Sequence, residues 1–250
     1  MQTERPYALS IAGFDPSSGA GLSADIKTFE SLKVYGLSVC TGLTQQTEDH
    51  FYSVTWREAA DVKKEVLMLL KKYPVKAVKF GITPSLSFLE EIISVICTHD
   101  ISIKIIVDPV WKSSTGFPLN DLRHFSSRKN ILEKISLLTP NLPELKTISG
   151  NESMENTLSE LRKYTSVLLK GGHDENEKGT DVLFTPNAEI KISAQIQSVF
   201  PKHGSGCVLS AAITAYLALG ENMENSCRKA KAYTENFLSS NKSLLGFHVA

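Results

Sequence analysis

The chain has 250 residues, a length at which an α/β fold commonly buries a single core, so one domain spanning residues 1–250 is expected. Lysine plus arginine and aspartate plus glutamate balance at 27 each, which leaves no overall field to draw the chain onto nucleic acid or an anionic membrane and favours a small-molecule partner. Cys40, Cys97, Cys207 and Cys227 lie far apart without a C-x-x-C pair, no run reaches the roughly 18 apolar residues of a membrane span, and Met1–Pro6 is polar; these features predict a reducing, cytoplasmic setting without zinc or disulfides.

The first apolar run, Tyr7–Gly13, reads as a buried strand and leads into a glycine-rich loop, Gly13–Gly21. A helix is predicted from about Gly21 to Lys33, with Leu22, Ile26, Phe29 and Leu32 forming its apolar stripe. Asp25 falls on that apolar side, where a carboxylate needs a partner; the plainer alternative is an aspartate that stabilises the helix start. Gly19-Ala-Gly21-Leu-Ser-Ala24 also fits a dinucleotide fingerprint with alanine in third place. The loop from Gly13 is too long for the tight turn, and no acidic residue follows at the ribose position, so NAD is excluded there.

Further strands are predicted at Val34–Thr44, Ala77–Ile82, Ile103–Pro109, Ser136–Asn141 and Val167–Gly172. Helical periodicity covers Arg57–Tyr73, Ser87–Thr98 and Glu155–Tyr164. This alternation predicts a largely parallel sheet with helices on both faces, and ligands in such sheets collect at the carboxyl ends of the strands. Thr180–Thr185 and Glu189–Ala194, joined by Pro186-Asn187, read as a hairpin added to that sheet before two closing helices. Three polar groups fall at predicted strand ends: Asp108-Pro109, Asn141-Leu-Pro-Glu144 and Lys170-Gly-Gly-His173. They offer carboxylates, an amide and a lysine suited to phosphates and magnesium; each residue also has an ordinary use as a cap or turn residue.

The segment Lys202-His-Gly-Ser-Gly-Cys207 opens an almost wholly apolar helix. Gly204, Ser205 and Gly206 can form a nest of backbone amides at the positive end of that helix, an anion site. Cys207 at this terminus is expected to have a lowered pKa and to accept a proton beside the anion hole; the alternative is a small core residue. No Walker A loop or protein-kinase catalytic loop is present, so a phosphoryl-transfer enzyme would have to use the Gly204–Cys207 turn. His203 and His173 adjoin these loops, whereas His50, His99, His124 and His248 read as structural or solvent-facing.

Ser10-Ile-Ala-Gly-Phe-Asp-Pro-Ser-Ser-Gly-Ala-Gly-Leu-Ser-Ala-Asp-Ile-Lys-Thr28 strongly resembles the hydroxymethylpyrimidine/phosphomethylpyrimidine kinases of thiamine biosynthesis. Leu43-Thr-Gln-Gln46, Lys79-Phe-Gly-Ile82, Val107-Asp-Pro-Val110, Leu138–Glu144, Leu169–His173 and His203–Cys207 agree in the same order. The resemblance implies a ribokinase-like three-layer α/β/α sandwich that uses ATP and Mg2+ to phosphorylate the aminopyrimidine's hydroxymethyl group and then its monophosphate. By that resemblance Gly13, Asp25, Gln46, Ile82 and Val110 line the pyrimidine pocket, Asp25 and Gln46 reading the ring edge. The same resemblance implies that Cys207 is catalytic with Gly204, Ser205 and Gly206 as anion hole, that Lys170, Asn141 and Glu144 would meet the nucleotide phosphates, and that Glu144 with Asp108 would meet the metal.

Phe14, Ser18, Ser23, Ile82-Thr83, Trp111 and Lys202 depart from the family pattern, most of them in ways that reshape the pocket. A segment at Asp174–Lys178 is a candidate lid, and fold analogy suggests a homodimer. The rival readings are a pyridoxal or pyridoxine kinase and a non-catalytic pyrimidine-binding protein.

Overall fold

The computed structural model describes residues 4–113, 116–119, 125–173, 179–196 and 198–248. The candidate lid at Asp174–Lys178 and His124 lie outside the described residues. One nine-stranded sheet runs through the molecule in the order β3-β2-β1-β4-β5-β6-β7-β8-β9. Its strands are β1 (Tyr7–Phe14), β2 (Tyr35–Gln46), β3 (Phe51–Trp56), β4 (Val75–Phe80), β5 (Lys104–Val107), β6 (Leu137–Leu138), β7 (Ser166–Leu169), β8 (Asp181–Phe184) and β9 (Glu189–Ile192). The six strands β2, β1, β4, β5, β6 and β7 are parallel, while β3 at one edge and the β8–β9 hairpin at the other are antiparallel.

Helices α1 (Gly21–Ser31), α7 (Ser205–Ala218) and α8 (Met223–Ser239) cover one face of this sheet. Helices α2 (Ala59–Lys72), α3 (Leu86–His99), α4 (Lys129–Leu132), α5 (Leu142–Ser149) and α6 (Met154–Leu161) cover the other, giving a three-layer α/β/α sandwich. Strand alternation divides the core between the layers. Leu9, Ile11, Val78, Phe80, Ile105 and Val107 point to the α2–α6 side, and Ala8, Ala77 and Ile106 to the α1–α7 side.

The second side is built from small residues on both surfaces. Ala24 of α1 and Ala211, Ala212 and Ala215 of α7 are fully buried there. Small side chains let α7 lie close over β4 and β5, which explains why a helix with hardly a polar face can be stable: nearly all of it is enclosed. Among the described residues no helix is long and apolar enough to cross a membrane.

Sequence and structure differ at β3 and at β6. β3 was not among the expected strands; its residues are aromatic and β-branched, but only Phe51 is buried, so an edge strand lacks the apolar alternation that marks the others. Expected strand Ser136–Asn141 shortens to Leu137–Leu138, because the chain turns at Thr139-Pro140 into α5, a helix the periodicity did not single out. β1 lies between β2 and β4, so the chain builds the sheet outward in both directions from it. The crevice beyond the carboxyl ends of β1 and β4 is therefore the topological switch point.

If α7 packs this closely, enlarging a residue in the layer must disturb it. Ala212→Leu is expected to lower stability in urea denaturation by about 1–3 kcal/mol, whereas Met68→Leu on the exposed face of α2 should stay within about 0.5 kcal/mol. An Ala212→Leu protein as stable as the unaltered chain would contradict the close packing.

Candidate active site

A cavity of about 520 Å3 opens at the switch point. Successive strand ends supply its wall: Gly13 from β1, Gln46 from β2, Gly81 and Ile82 after β4, Asp108 and Val110 after β5, Asn141 and Glu144 after β6, and Lys170 after β7. The first turn of α7, Gly204–Cys207, closes the remaining side. All the catalytic, substrate, phosphate and metal residues expected from the sequence line this cavity except Asp25. The wall has two characters: Gly13, Phe51, Ile82, Val110, Trp111 and Leu119 form a mainly apolar half in which Gln46 offers an amide, and the Asp108–Lys170–α7 half is charged.

Backbone geometry at the α7 turn requires glycine. Gly204 has φ of 73°, and a Cβ there would fall 2.0 Å from the carbonyl oxygen of Gly19, so the glycine loop and the α7 turn meet main chain to main chain. Gly13 is needed for a different reason: a Cβ would lie 2.4 Å from Ile82 Cδ1, which occupies the space.

Asp15 organises the glycine loop. Its carboxylate accepts hydrogen bonds from the Ser17 and Ala20 amides and the Ser17 hydroxyl, and it pairs with His203 Nε2 at 2.9 Å. Burial pushes the Asp15 carboxyl up, but the bonds from His203, Ser17 and Ala20 outweigh it and hold the group below the usual range. Thus the loop before α1 is fastened to the turn before α7. Sequence reasoning passed over Asp15, although an Asp-Pro-Ser-Ser run in a loop is a turn signal.

Two lysines stand on the sheet with no contact to bulk water or nearly none. Lys79 of β4 faces the α1–α7 side, in register with Ser10 of β1. Both meet Asp25: Lys79 Nζ at 2.5 Å from Oδ1 and the Ser10 hydroxyl at 2.5 Å from Oδ2, with Lys79 and Asp25 fully buried. Burial alone would lower the Lys79 pKa, yet Asp25, with Cys207 and Asp108, raises it above the ordinary lysine value. The expected role of Asp25 on the ring edge is therefore corrected: it lies one turn below Gly21, off the cavity wall, with its two oxygens taken by Lys79 and Ser10. The signal missed was a lysine inside a predicted buried strand, which must find a carboxylate.

Lys170 is the second. Its Nζ is 2.8 Å from Asp108 Oδ1 and 3.4 Å from Glu144 Oε2. Burial works against its charge, but the two carboxylates override it and raise its pKa above the usual range. Their own shifts diverge. Burial opposes ionisation of Asp108, but Lys170 and Lys79 hold it low, whereas burial dominates at Glu144 and pushes it up. Asn141 and Glu144 also form a capping box at the start of α5, each side chain bonded to the other's backbone N–H. Their structural use as caps thus fixes them on the cavity rim.

At the second residue of α7, a Cβ on Gly206 would lie 3.5 Å from Lys170 Nζ, so the backbone of the turn faces the lysine directly. The Cys207 thiol does not behave as its helix position suggests. Burial, with Asp25 and Asp108 nearby, outweighs Lys79 and the Gly21 amide and pushes it up to about 11. The expectation of an accessible thiolate is corrected: at neutral pH this is a protonated thiol.

The buried pair has a measurable signature. Lys79→Met leaves Asp25 enclosed without its cation and is expected to cost about 3–5 kcal/mol in chemical denaturation; adding Asp25→Leu should recover a substantial part. A loss under about 1 kcal/mol for the single change would show that the pair does not hold the floor of the site.

Comparison with known proteins identifies the family and the fold. A family model for phosphomethylpyrimidine kinase matches residues 15–249. The hydroxymethylpyrimidine/phosphomethylpyrimidine kinase of Aquifex aeolicus is 31% identical over 245 residues, covering 95% of this chain and 96% of that one. Phosphomethylpyrimidine kinase from Clostridium difficile superposes with a TM-score of 0.76 at 30% identity, covering 92% of this chain and 98% of its own. Pyridoxal kinase from Staphylococcus aureus, in complex with AMP-PCP, gives a TM-score of 0.81 at 24% identity over 97% of this chain and 91% of its own, a likeness that concerns the fold alone. The sandwich is ribokinase-like and the sequence match runs almost end to end: the chain belongs to the phosphomethylpyrimidine kinase family.

Proposed function

We propose that this chain, as a single domain over residues 1–250, transfers the terminal phosphoryl group of ATP to 4-amino-5-hydroxymethyl-2-methylpyrimidine. It then phosphorylates the monophosphate to the diphosphate, in the supply of thiamine. The observation that carries this reading is the make-up of one cavity wall: mainly apolar residues with the Gln46 amide, suited to a flat ring, share it with the glycine turn before α7, Cys207, Lys170 and two carboxylates.

In this reading Gly13, Ile82 and Val110 hold the ring and Gln46 reads its polar edge. Lys170 and Asn141 meet the nucleotide phosphates, and the amides of Gly204–Gly206 receive the charge that develops on the transferred group. Cys207 positions the hydroxymethyl oxygen through its protonated thiol. A loose phosphoryl-transfer transition state asks mainly for alignment and charge stabilisation, so a strong base is not required.

Magnesium fits the carboxylates present. Among the described residues no three His, Cys, Asp or Glu side chains converge as a metal site. Asp108 and Glu144 do line the cavity together, which suits an ion that takes one or two protein carboxylates and draws its other ligands from phosphates and water. When bound, Mg2+ would neutralise the β- and γ-phosphates. A cytoplasmic location is consistent with four unpaired cysteines. A homodimer is supported by exposed Phe14, Leu43 and Tyr52 on neighbouring strands at the β3 edge.

The deciding assay follows ADP release with ATP and magnesium, offering hydroxymethylpyrimidine, its monophosphate, pyridoxine and pyridoxal side by side. Turnover of the two pyrimidines is expected; turnover confined to the vitamin B6 compounds would reassign the substrate, and pyrimidine binding without turnover would leave a binding protein. Cys207→Ala should lower kcat about 100-fold with little change in pyrimidine affinity. Because the thiol is pushed up to about 11, it stays protonated across pH 6–9, and kcat should show no rise from its ionisation in that window. An inflection between pH 6 and 9 that Cys207→Ser abolishes would restore the cysteine as a base.

A further inference from the structure

Helix α8 ends at Ser239, and the chain that follows, residues 240–248, turns back onto the loops that frame the cavity. The Asn241 side chain makes that turn: its Oδ1 accepts the Ser243 amide at 2.9 Å, and its Nδ2 donates to the Leu245 carbonyl at 2.9 Å. Gly246 then lies against the Phe237 ring, where a Cβ would fall 2.5 Å from a ring carbon. His248 reaches both α8 and α1, its Nδ1 3.1 Å from the Tyr233 hydroxyl and 3.4 Å from that of Thr28. The segment is a strap, bonded within itself and anchored at both ends.

This strap touches the turn before α7 and the glycine loop at once. The Leu244 carbonyl accepts the His203 amide at 2.9 Å, which fixes the backbone that leads into Gly204. On the other side a Cβ on Gly19 would fall 2.8 Å from Leu245 Cδ2 and 2.6 Å from His203 Cδ2, so the leucine and the imidazole both rest on that glycine. Gly19 and Gly204 meet main chain to main chain and have no side chains to bury, so their contact gains little from apolar area of its own. What fastens loop to turn is the Asp15–His203 pair and the Leu245 side chain. Among the described residues none of the strap lines the cavity, whereas Ala20 and Gly21, next along the loop, do, and the Gly21 amide is close enough to the Cys207 thiol to act on it.

We propose that Leu245 is a positioning residue for phosphoryl transfer: seated on Gly19, it presses the glycine loop against the α7 turn and so sets how Ala20 and Gly21 face Gly204–Cys207 across the cavity. This rests on the kinase reading above. A loop freed of that contact has more conformations open to it, and a displacement of about 1 Å in an aligned site lowers turnover by roughly 100-fold. Leu245 itself stays off the cavity wall, so its loss acts on turnover and leaves the binding of ring and nucleotide in place.

The test measures steady-state kinetics on hydroxymethylpyrimidine, per folded protein and well below the melting temperature, for the unaltered chain, Leu245→Ala, Leu245→Met and Phe247→Ala. Phe247 is an exposed residue of the same strap and serves as control. The expected result for Leu245→Ala is a kcat lowered about 10- to 100-fold, with KM for the pyrimidine and for ATP within about 2-fold. Leu245→Met, which refills the space, should recover, and Phe247→Ala should match the unaltered chain. Hydrogen exchange over residues 15–22 should rise in Leu245→Ala and stay unchanged in Phe247→Ala. Gly19→Ala displaces Leu245 and His203 and should lower kcat as well; because both changes act on one contact, combining it with Leu245→Ala should not multiply the losses. A strap that only stabilises the fold would lower the melting temperature and leave kcat per folded protein unchanged. That result, a loss confined to KM, or losses that multiply in the double variant would each overturn the inference while leaving the kinase reading intact; absence of turnover by the unaltered chain would overturn both. Should Leu245→Ala fold poorly, Asn241→Ala, which opens the strap's turn, carries the same comparison.

Discussion

Positive charge taken out of water has to be matched, and the arrangement of this molecule follows from where two such charges sit. Lys79 is in the middle of the sheet and Lys170 at the end of β7, and neither can remain charged without carboxylates brought to it. Asp25 comes from α1, Asp108 from the end of β5 and Glu144 from α5. The pairings therefore fix α1 and α5 relative to the strands from opposite faces of the sheet. Ser210 of α7 adds a hydrogen bond to Asp108, so the helix bearing the anion turn is tied to the same network. What faces the cavity is a cation and two carboxylates already held in place, which is the preorganisation that phosphoryl transfer needs.

The same network explains why Cys207 departs from the behaviour of a cysteine at a helix start. A helix dipole favours thiolate by a modest amount, whereas desolvation and two nearby carboxylates favour thiol, and the second effect wins. Position and ionisation are separate questions at this site. The small residues that let α7 lie against the sheet bring the cysteine to the cavity, and the resulting desolvation keeps its proton on. A reaction that proceeds through alignment and charge stabilisation can use such a group as a fixed hydrogen-bonding partner.

Much of this was legible in the sequence because it depends on local chemistry. Buried parallel strands read as apolar runs, the Gly204–Gly206 turn reads from its glycines, and the strand-end polar residues read from their place after those runs. Asn141 and Glu144 were open between cap and site; in the folded chain they are both, since the capping box is what holds them on the rim. What sequence reasoning lost was partnership across the fold. Lys79 and Asp25 are 54 residues apart, and Asp15 and His203 are separated by 188, so no local pattern joins them. Asp25 was recognised as a buried carboxylate in need of a partner, yet the family resemblance assigned it to the ligand, since nothing local pointed to Lys79 on another strand. β3 escaped for a simpler reason, as an edge strand with little to bury.

The central claim is spatial: one cavity aligns a ring in its apolar half with a phosphate chain in its charged half, and Cys207 stands between them. A crystal structure with hydroxymethylpyrimidine and a non-hydrolysable ATP analogue tests it most directly. The account predicts the hydroxymethyl oxygen beside Cys207 Sγ and about 3–3.5 Å from the γ-phosphorus position, with the γ-phosphate on the Gly204–Gly206 amides and Lys170 close by. A ring seated away from Gln46 and Ile82, or a γ-phosphate that does not meet the α7 turn, would contradict it.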